Sequence, residues 1–211
     1  MDGEGGKDEG IHHLEKSIHI LREIRHEFPG TSEVLLLECI EELGILFLQS
    51  GKYDEALGNF TDGMKISKFL LENKKNRVHP IMGRIRLWTS KIHEKKGRLM
   101  SSKQEINEAI KTFRILIERG GMEHQGSLAL ALSQRGKLHA REKNCNNAEI
   151  SYKEALAILK EIELDEQGSY EFNIVVILQA LADLHQEMGH LDLAREELSE
   201  SATRLKKLNE T

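Results

Sequence analysis

One spacing of small and large apolar residues recurs four times in this chain of 211 residues, at an interval of 46 residues. A period of this length that combines glycine or alanine with bulky apolar residues is typical of helical repeats, in which each unit buries its apolar face only against its neighbours. We therefore expect a binding surface first and a catalyst only second. The copies are Leu43, Gly44, Phe47, Gly51, Ala56, Phe60 and Gly63; Ala109 and Phe113; Gly136, Ala148, Tyr152 and Ala155; and Ala182, Gly189, Ala194 and Leu198.

The composition points to a fold made of helices alone. The chain holds two prolines, Pro29 and Pro80, few aromatic residues, and many Leu, Ile, Glu, Lys and Ala residues, which lose little on entering a helix. No alternation of apolar and polar residues is long enough to predict a strand. The fold class we predict is all-α.

Cysteine usage and the N-terminus bear on where the protein works. Cys39 and Cys145 lie in different repeats, so a disulfide framework has no support and a reducing compartment fits best. The first ten residues are glycine-rich and acidic, unlike a secretory signal, and no apolar run of about 18 residues could span a membrane. We expect a cytoplasmic protein without membrane contact, with the nucleus as the alternative.

Charge is distributed unevenly although the net charge of −5 is ordinary. Residues 74–114 carry a balance of +9, which leaves −14 for the rest of the chain. This split indicates a basic band in an otherwise acidic protein. The alternative, a set of solvated helix faces, stays open.

Helix signals divide the chain into a tail, a single helix and four helix pairs. Residues 1–10 should form a disordered tail, because four glycines and little apolar content cannot offset the entropy of ordering. Residues 11–30 form a single helix closed by Pro29 and Gly30. It is either half of a further repeat, whose apolar edge a neighbour covers, or a capping helix. Four pairs fill residues 31–209, at about 31–73, 79–119, 122–163 and 166–208, which makes nine helices in all.

The small residues and the Ala-x-x-x-aromatic pattern within these pairs resemble a tetratricopeptide (TPR) repeat. The best copy runs from Leu132 to Leu159, and the 46-residue period, longer than the usual 34, is similar to that of kinesin-light-chain-type repeats. The resemblance implies a right-handed superhelical solenoid of antiparallel helix pairs. Small residues let two helices approach closely, and Phe60 or Tyr152 fills the space between pairs. The packing signature is Gly44, Ala56, Phe60, Ala109, Phe113, Gly136, Ala148, Tyr152, Ala155, Ala182 and Ala194.

The second copy departs from this pattern. Its small residue in the first helix is Ser90, and Ala109 comes seven residues later than the period requires. We expect an extended turn near Arg98 to Lys103 to absorb the difference.

In TPR arrays the first helix of each pair lines a concave groove, so the resemblance also implies which residues face it. Helical spacing from the small residue selects Glu38, Glu41 and Ile45; Arg84, Leu87 and Lys91; Leu130, Ser133 and Lys137; and Val176, Gln179 and Asp183. We expect an acidic peptide or helix of another protein to bind there. The predicted contact residues are Arg84, Leu87, Lys91, Lys95, Leu130, Lys137 and Arg141. Solvated ends of long side chains are the alternative.

Other kinds of site find little support. Ile45, Lys91, Lys137 and Asp183 occupy the positions where some TPR proteins clamp a terminal carboxylate with asparagine, so we expect no such clamp. His12, His19 and His26 recur every seven residues, about 10.5 Å apart along a helix, which is too far to share one metal ion. No catalytic, metal or cofactor site is predicted. Nucleic-acid binding by residues 74–114 is the second functional hypothesis, which the scarcity of aromatic residues there and the acidic chain disfavour.

Overall fold

The structure, a computed structural model, describes residues 3–25, 27–28, 31–73, 79–165 and 170–210. In these ranges the chain forms nine α-helices and no strand, which confirms the all-α prediction. Parts of several predicted features lie outside them: His26, the Pro29-Gly30 stop, residues 74–78 of the basic band and residues 166–169 of the fourth pair. The helices are α1 (Gly3–Ile24), α2 (Thr31–Gln49), α3 (Tyr53–Asn73), α4 (Pro80–Lys95), α5 (Leu99–Glu118), α6 (Gln125–Arg141), α7 (Cys145–Asp165), α8 (Glu171–Glu187) and α9 (Leu191–Glu210), with a 3₁₀ turn at Met122–His124.

The helices belong to two compact units. The first ends at Arg98 and contains α1 to α4, and the second begins at Leu99 and contains α5 to α9. Within each unit consecutive helices pack together, and the alternate helices α2 and α4, and α6 and α8, are also in contact. The boundary falls inside the second predicted pair, so the pairing of α4 with α5 stays a prediction.

The N-terminal helix begins earlier than the sequence predicted. We expected residues 1–10 to be disordered, but residues 3–10 belong to α1. Packing explains the difference, because Gly10 lies against Leu46 of α2 and Ile11 and Ile18 are buried. On the described part of α1, Ile20 is the only large apolar residue that is exposed. The two interpretations of this helix, half of a further repeat or a capping helix, both stay predictions.

The same backbone cap ends α2, α4, α6 and α8 at steps of 46 residues. The second residue after each helix has a left-handed φ: +73° at Gly51, +72° at Gly97, +59° at Lys143 and +81° at Gly189. The next residue donates its backbone N–H to the carbonyl five positions earlier, as His190 does to His185 at 2.8 Å. This is the Schellman motif, which satisfies carbonyls that the helix end leaves without partners.

The constant position of this cap shows that the second repeat is in register. α5 begins at Leu99, two residues after Gly97, so the extended turn predicted near Arg98 to Lys103 is wrong. Ser102 and Ile106 are fully buried at the positions that Ala56 and Phe60 hold in the first repeat. Serine is small enough to take the place of alanine. We had matched alanine with alanine, and Ser102 was therefore not recognised as the equivalent of Ala56.

Two helix pairs are held together by an aromatic ring seated on a glycine. A methyl group on Gly44 of α2 would overlap the ring of Phe60 in α3, and one on Gly136 of α6 would lie 2.7 Å from Cδ1 of Tyr152 in α7. The rings therefore fill space inside a pair, whereas we had expected them between pairs. The other residues of the predicted packing signature are also buried: Ala56, Ala109, Phe113, Ala148, Ala155, Ala182 and Ala194.

Replacing Gly44 or Gly136 with alanine should destabilise the protein by about 1–3 kcal/mol, because the added methyl group forces the ring or the helix to move. Gly58→Ala is the matched control, since Gly58 is exposed in α3 and has no atom within 4 Å of the added methyl group. The control should stabilise the helix by about 1 kcal/mol. Urea unfolding measures both changes. Equal effects at Gly44 and Gly58 would contradict the ring-on-glycine packing.

Lys143 holds the position where the other three caps have glycine. A left-handed φ costs a residue with a Cβ atom about 1 kcal/mol, so Lys143→Gly should stabilise the protein by up to about that amount. The ion pair from Lys143 to Glu187 is exposed, and its loss should matter little. Gly189→Ala should be destabilising by a similar amount. If thermal unfolding shows Lys143→Gly to be the less stable protein, the cap does not carry this strain.

Candidate protein-interaction surface

The structure places the predicted contact residue Arg84 in an ion pair within its own unit. Its Nε lies 2.7 Å from Oε1 of Glu41 on α2, and its Nη2 lies 2.7 Å from Oε2 of the same carboxylate. Glu41 is 6% exposed, and the hydrogen bond to it raises the pKa of the Arg84 guanidinium. A paired geometry of this kind fixes both side chains. We predicted that Arg84 would pair with a carboxylate of a bound partner. In the structure its guanidinium is paired with the carboxylate of Glu41 in the neighbouring repeat.

The other predicted contacts on α4 differ from one another. Leu87 is 3% exposed, so it belongs to the core and cannot contact a partner, contrary to the prediction. The Nζ atom of Lys91 lies 4.3 Å from the centre of the Trp88 ring, a cation–π contact within α4. Lys95 is exposed. Of the predicted contacts in the first unit, Lys95 is the one whose side chain stands most fully in solvent.

In the second unit the predicted residues share one face of two neighbouring helices. Lys137 and Arg141 are exposed on α6, where Leu130 and Ser133 are partly buried. Val176, Gln179 and Asp183 are exposed on α8, which contacts α6. Because equivalent residues are 46 positions apart, Leu130 corresponds to Val176 and Lys137 to Asp183. We call this surface the α6–α8 face: Leu130, Ser133, Lys137, Arg141, Phe172, Val176, Gln179 and Asp183.

Phe172, the most exposed apolar residue of this face, was not among the predicted contact residues. Its side chain is 65% exposed, and it lies one helical turn before Val176, which is 43% exposed. Lys95 and Arg141 had been found by extending their stripes one turn toward the C-terminus. The same extension toward the N-terminus of α8 would have found Phe172.

Packing beneath the face holds α6 in place. Gly136 seats the ring of Tyr152, and beside it the Nε atom of Arg135 donates to Oγ of Ser151 at 3.1 Å. Arg135 also lies 3.4 Å from Glu154, and burial lowers the pKa of its guanidinium. These contacts anchor the side of α6 that is turned toward α7. The exposed cations Lys137 and Arg141 therefore stand on a supported helix.

Carboxylates from other helices neutralise part of the basic band. Lys96 pairs with Asp54, whose pKa this hydrogen bond lowers. In the second unit Lys103 lies 2.8 Å from Glu142, and Arg114 lies 2.6 Å from Glu154. Cations that already face carboxylates attract phosphate less strongly. The band is thus less basic in the fold than it is in the sequence.

Among the histidines that the structure describes, His185 serves packing, whereas His12 and His19 do not. His185 is fully buried, with Nδ1 2.8 Å from Oε2 of Glu197 and Nε2 3.3 Å from Oε1 of Glu149 without hydrogen-bond alignment. The ring thereby joins α7, α8 and α9. His12 and His19 are exposed on α1. Within the described ranges, no three His, Cys, Asp or Glu side chains are placed to hold a metal ion, and none of the helices has the length and apolar character needed to cross a membrane.

His139 makes the stability of the second unit depend on pH. Burial, followed by the charges of Lys103 and Arg135, lowers its pKa from an ordinary value of 6.5, while Glu142 acts in the opposite direction. Since the unfolded chain takes up this proton more readily, stability should fall as the pH drops below about 6.5. The variant His139→Phe carries the residue that the first repeat has at the equivalent position, Phe47. This variant should lose less stability than the wild type when the pH is lowered. Urea unfolding between pH 7.5 and 5 measures it, and identical losses in both proteins would refute the assignment.

Among the comparisons with known proteins, only the one with solved structures supports the fold. Neither a family model nor a curated protein sequence matches the chain. The crystal structure of MamA is 12% identical with a TM-score of 0.61 and covers 100% of this chain and 99% of its own. TPR-like repeats of a protein described as a kinesin light chain from Podosopora anserina are 18% identical with a TM-score of 0.60, covering 98% and 90%. BtubC from P. vanneervenii is 14% identical with a TM-score of 0.57, covering 96% and 92%.

These similarities define the class of fold. The structures matched over nearly the whole chain include TPR-like repeats, so the predicted resemblance to the TPR type is confirmed. At identities below 20% these structures show only the fold of this chain. Its binding partners and the residues that contact them have to be inferred from the chain itself. Helical repeats of this type present extended surfaces on which other molecules bind.

Proposed function

We propose that this protein is a non-catalytic interaction module and that its α6–α8 face holds a segment of another protein. The observation that carries the proposal is a pair of exposed apolar side chains on a helix that contacts α6. Phe172 and Val176 are exposed on α8, and Lys137 and Arg141 are exposed toward the C-terminal end of the neighbouring α6. Covering the apolar side chains would stabilise a complex, and the cations would direct carboxylates to one side of it.

Rigid presentation supports this role. Both helices are ordered by their own pairs, so a bound segment alone would lose conformational freedom. Arg84 and Leu87 do not contribute, because the first is paired with Glu41 and the second is buried. The proposed contact set is therefore Leu130, Lys137, Arg141, Phe172 and Val176, with Lys95 as a separate exposed cation in the first unit.

The ion pairs within the basic band favour a protein partner over nucleic acid. Phe113, one of two aromatic residues in the band, is buried and cannot stack on a base, and Trp88 is covered by Lys91. Cys39 and Cys145 are both free thiols, which supports a reducing location such as the cytoplasm or nucleus.

Charge reversal on α6 tests the proposal. Lys137→Glu combined with Arg141→Glu should reduce the affinity for any protein held on this face by at least about tenfold, because each cation would be replaced by a repelling carboxylate. Partners recovered on the immobilised wild-type protein are measured individually by titration against the two variants. The matched control is Lys206→Glu with Lys207→Glu, two exposed lysines on α9.

The control reversal should leave the affinities unchanged. Circular dichroism and urea unfolding establish that both variants fold like the wild type. Partners that bind the α6 variant as tightly as the wild-type protein would contradict the proposed face.

A further inference from the structure

One side of α9 carries three leucines at seven-residue steps, Leu191, Leu198 and Leu205. Seven residues make nearly two helical turns, so the three side chains form one stripe along about 21 Å of the helix. Leu191 is 57% exposed and Leu198 is 48% exposed, while Leu205 is partly buried. Leucines at this spacing are typical of a helix that packs against another helix. We call these three residues the α9 leucine stripe.

The earlier repeats bury the central position of this stripe. The residues equivalent to Leu198 are Phe60, Ile106 and Tyr152, and each is at most 4% exposed. Phe60 lies in α3, which packs on α2 and also on α4, and Tyr152 lies in α7, which packs on α6 and also on α8. α9 packs chiefly on α8, and its stripe stands in solvent. The α9 leucine stripe is therefore a surface of the kind that other repeats cover with a helix.

Lys206, beside the stripe, occupies a position that forms ion pairs in other repeats. Its equivalents at multiples of 46 residues include Arg22, Arg114 and Lys160, and each of these faces a carboxylate 40 residues later in the chain. The pairs are Arg22 with Asp62 at 3.5 Å, Arg114 with Glu154 at 2.6 Å and Lys160 with Glu200 at 2.8 Å. Lys206 is exposed. By the same pattern it is placed to face a carboxylate of a helix that packs beyond α9.

The stripe matches itself when a second α9 runs in the opposite direction. With a two-fold axis beside Leu198, the two Leu198 side chains meet, and Leu191 lies against Leu205 of the other chain. Asp192 and Lys206 lie six and eight residues from Leu198, on opposite sides of it. The antiparallel arrangement therefore brings Lys206 of each chain close to Asp192 of the other. A parallel arrangement would place like charges together.

Asp192 can exchange its present contact for this one at little cost. Its carboxylate lies 3.3 Å from Arg195, and the two side chains are 94% and 79% exposed. An ion pair this exposed contributes about 0–1 kcal/mol, because water solvates both charges. Covering the leucines supplies the larger share of the stabilisation, and the flanking charges select the direction of the second helix.

We propose that the α9 leucine stripe is a dimerisation surface, on which a second copy of this chain packs with its own α9 antiparallel. The seam involves one helix from each chain, so its area lies at the lower end of the range for specific interfaces, and we expect a dissociation constant of about 10 μM. This surface is distinct from the α6–α8 face, and the inference is independent of the proposed function.

Sedimentation velocity of the full chain tests the dimer. Between about 1 and 200 μM the wild-type protein should change from monomer to dimer. Leu198→Glu should weaken the dimer at least about a hundredfold, because it places two carboxylates at the axis. Leu193→Glu is the matched control, since Leu193 is 43% exposed on the same helix but lies outside the stripe. The control should dimerise as the wild type does, and urea unfolding establishes that both variants are folded.

A charge exchange tests the antiparallel direction. Asp192→Lys and Lys206→Glu should each weaken the dimer at least about tenfold, because each sets like charges against one another across the axis. An equimolar mixture of the two variants should recover the affinity of the wild type, because both flanking pairs are then again of opposite charge. Recovery in the mixture cannot come from a change in the folding of either variant alone.

The outcomes are distinct from those for the α6–α8 face. A wild-type chain that stays monomeric, or Leu198→Glu and Leu193→Glu that weaken the dimer alike, would overturn the inference. If the chain is monomeric and Leu198→Glu loses a different protein recovered on the wild type, the stripe binds another partner and the second copy is wrong. A mixture that fails to recover the dimer would overturn the antiparallel direction. Lys206→Glu with Lys207→Glu should weaken the dimer while leaving the affinity of the α6–α8 face unchanged.

Discussion

The close approach of two helices at a residue without a side chain is the contact on which the repeat depends. At Gly44 and Gly136 an aromatic ring of the second helix occupies the volume that a Cβ atom would need. A ring in this place buries a large apolar area and also fixes how far one helix can slide along the other. The position of the ring therefore sets the register of α2 against α3 and of α6 against α7.

A second constraint, the left-handed cap at the end of each first helix, keeps the register the same from copy to copy. Three of these caps use glycine, and the fourth places Lys143 in the same conformation. The residue that accepts the capping N–H is Phe47 in the first repeat and a histidine in the others, including His139 and His185. One backbone position thus accommodates an apolar ring, a half-buried histidine with a lowered pKa, and a histidine held between Glu149 and Glu197. Backbone geometry, more than side-chain chemistry, defines the repeat.

The sequence predicted those parts of the structure that follow from local pattern. Helix periodicity and the turn glycines gave the number and order of helices. Composition alone was a poor guide to residues 3–10, which belong to α1 despite their glycine content and of which Gly10 lies against Leu46. Ser102 was missed because residue type was matched before position. Helical spacing identified the face on which Arg84 lies, but it could not show that Glu41 of the neighbouring repeat reaches the same guanidinium. Contacts between residues distant in the chain need the fold to be known first.

The central claim is that the repeat register brings the α6–α8 face together as one binding surface. Methyl NMR spectra of the full chain, recorded while a partner recovered on the wild-type protein is added, test it most directly. The account predicts that the methyl signals of Leu130 and Val176 shift together with a common affinity, while those of the buried Leu159 and the exposed Leu193 on α9 remain in place. Shifts centred on Leu193, or at Leu130 without Val176, would contradict it.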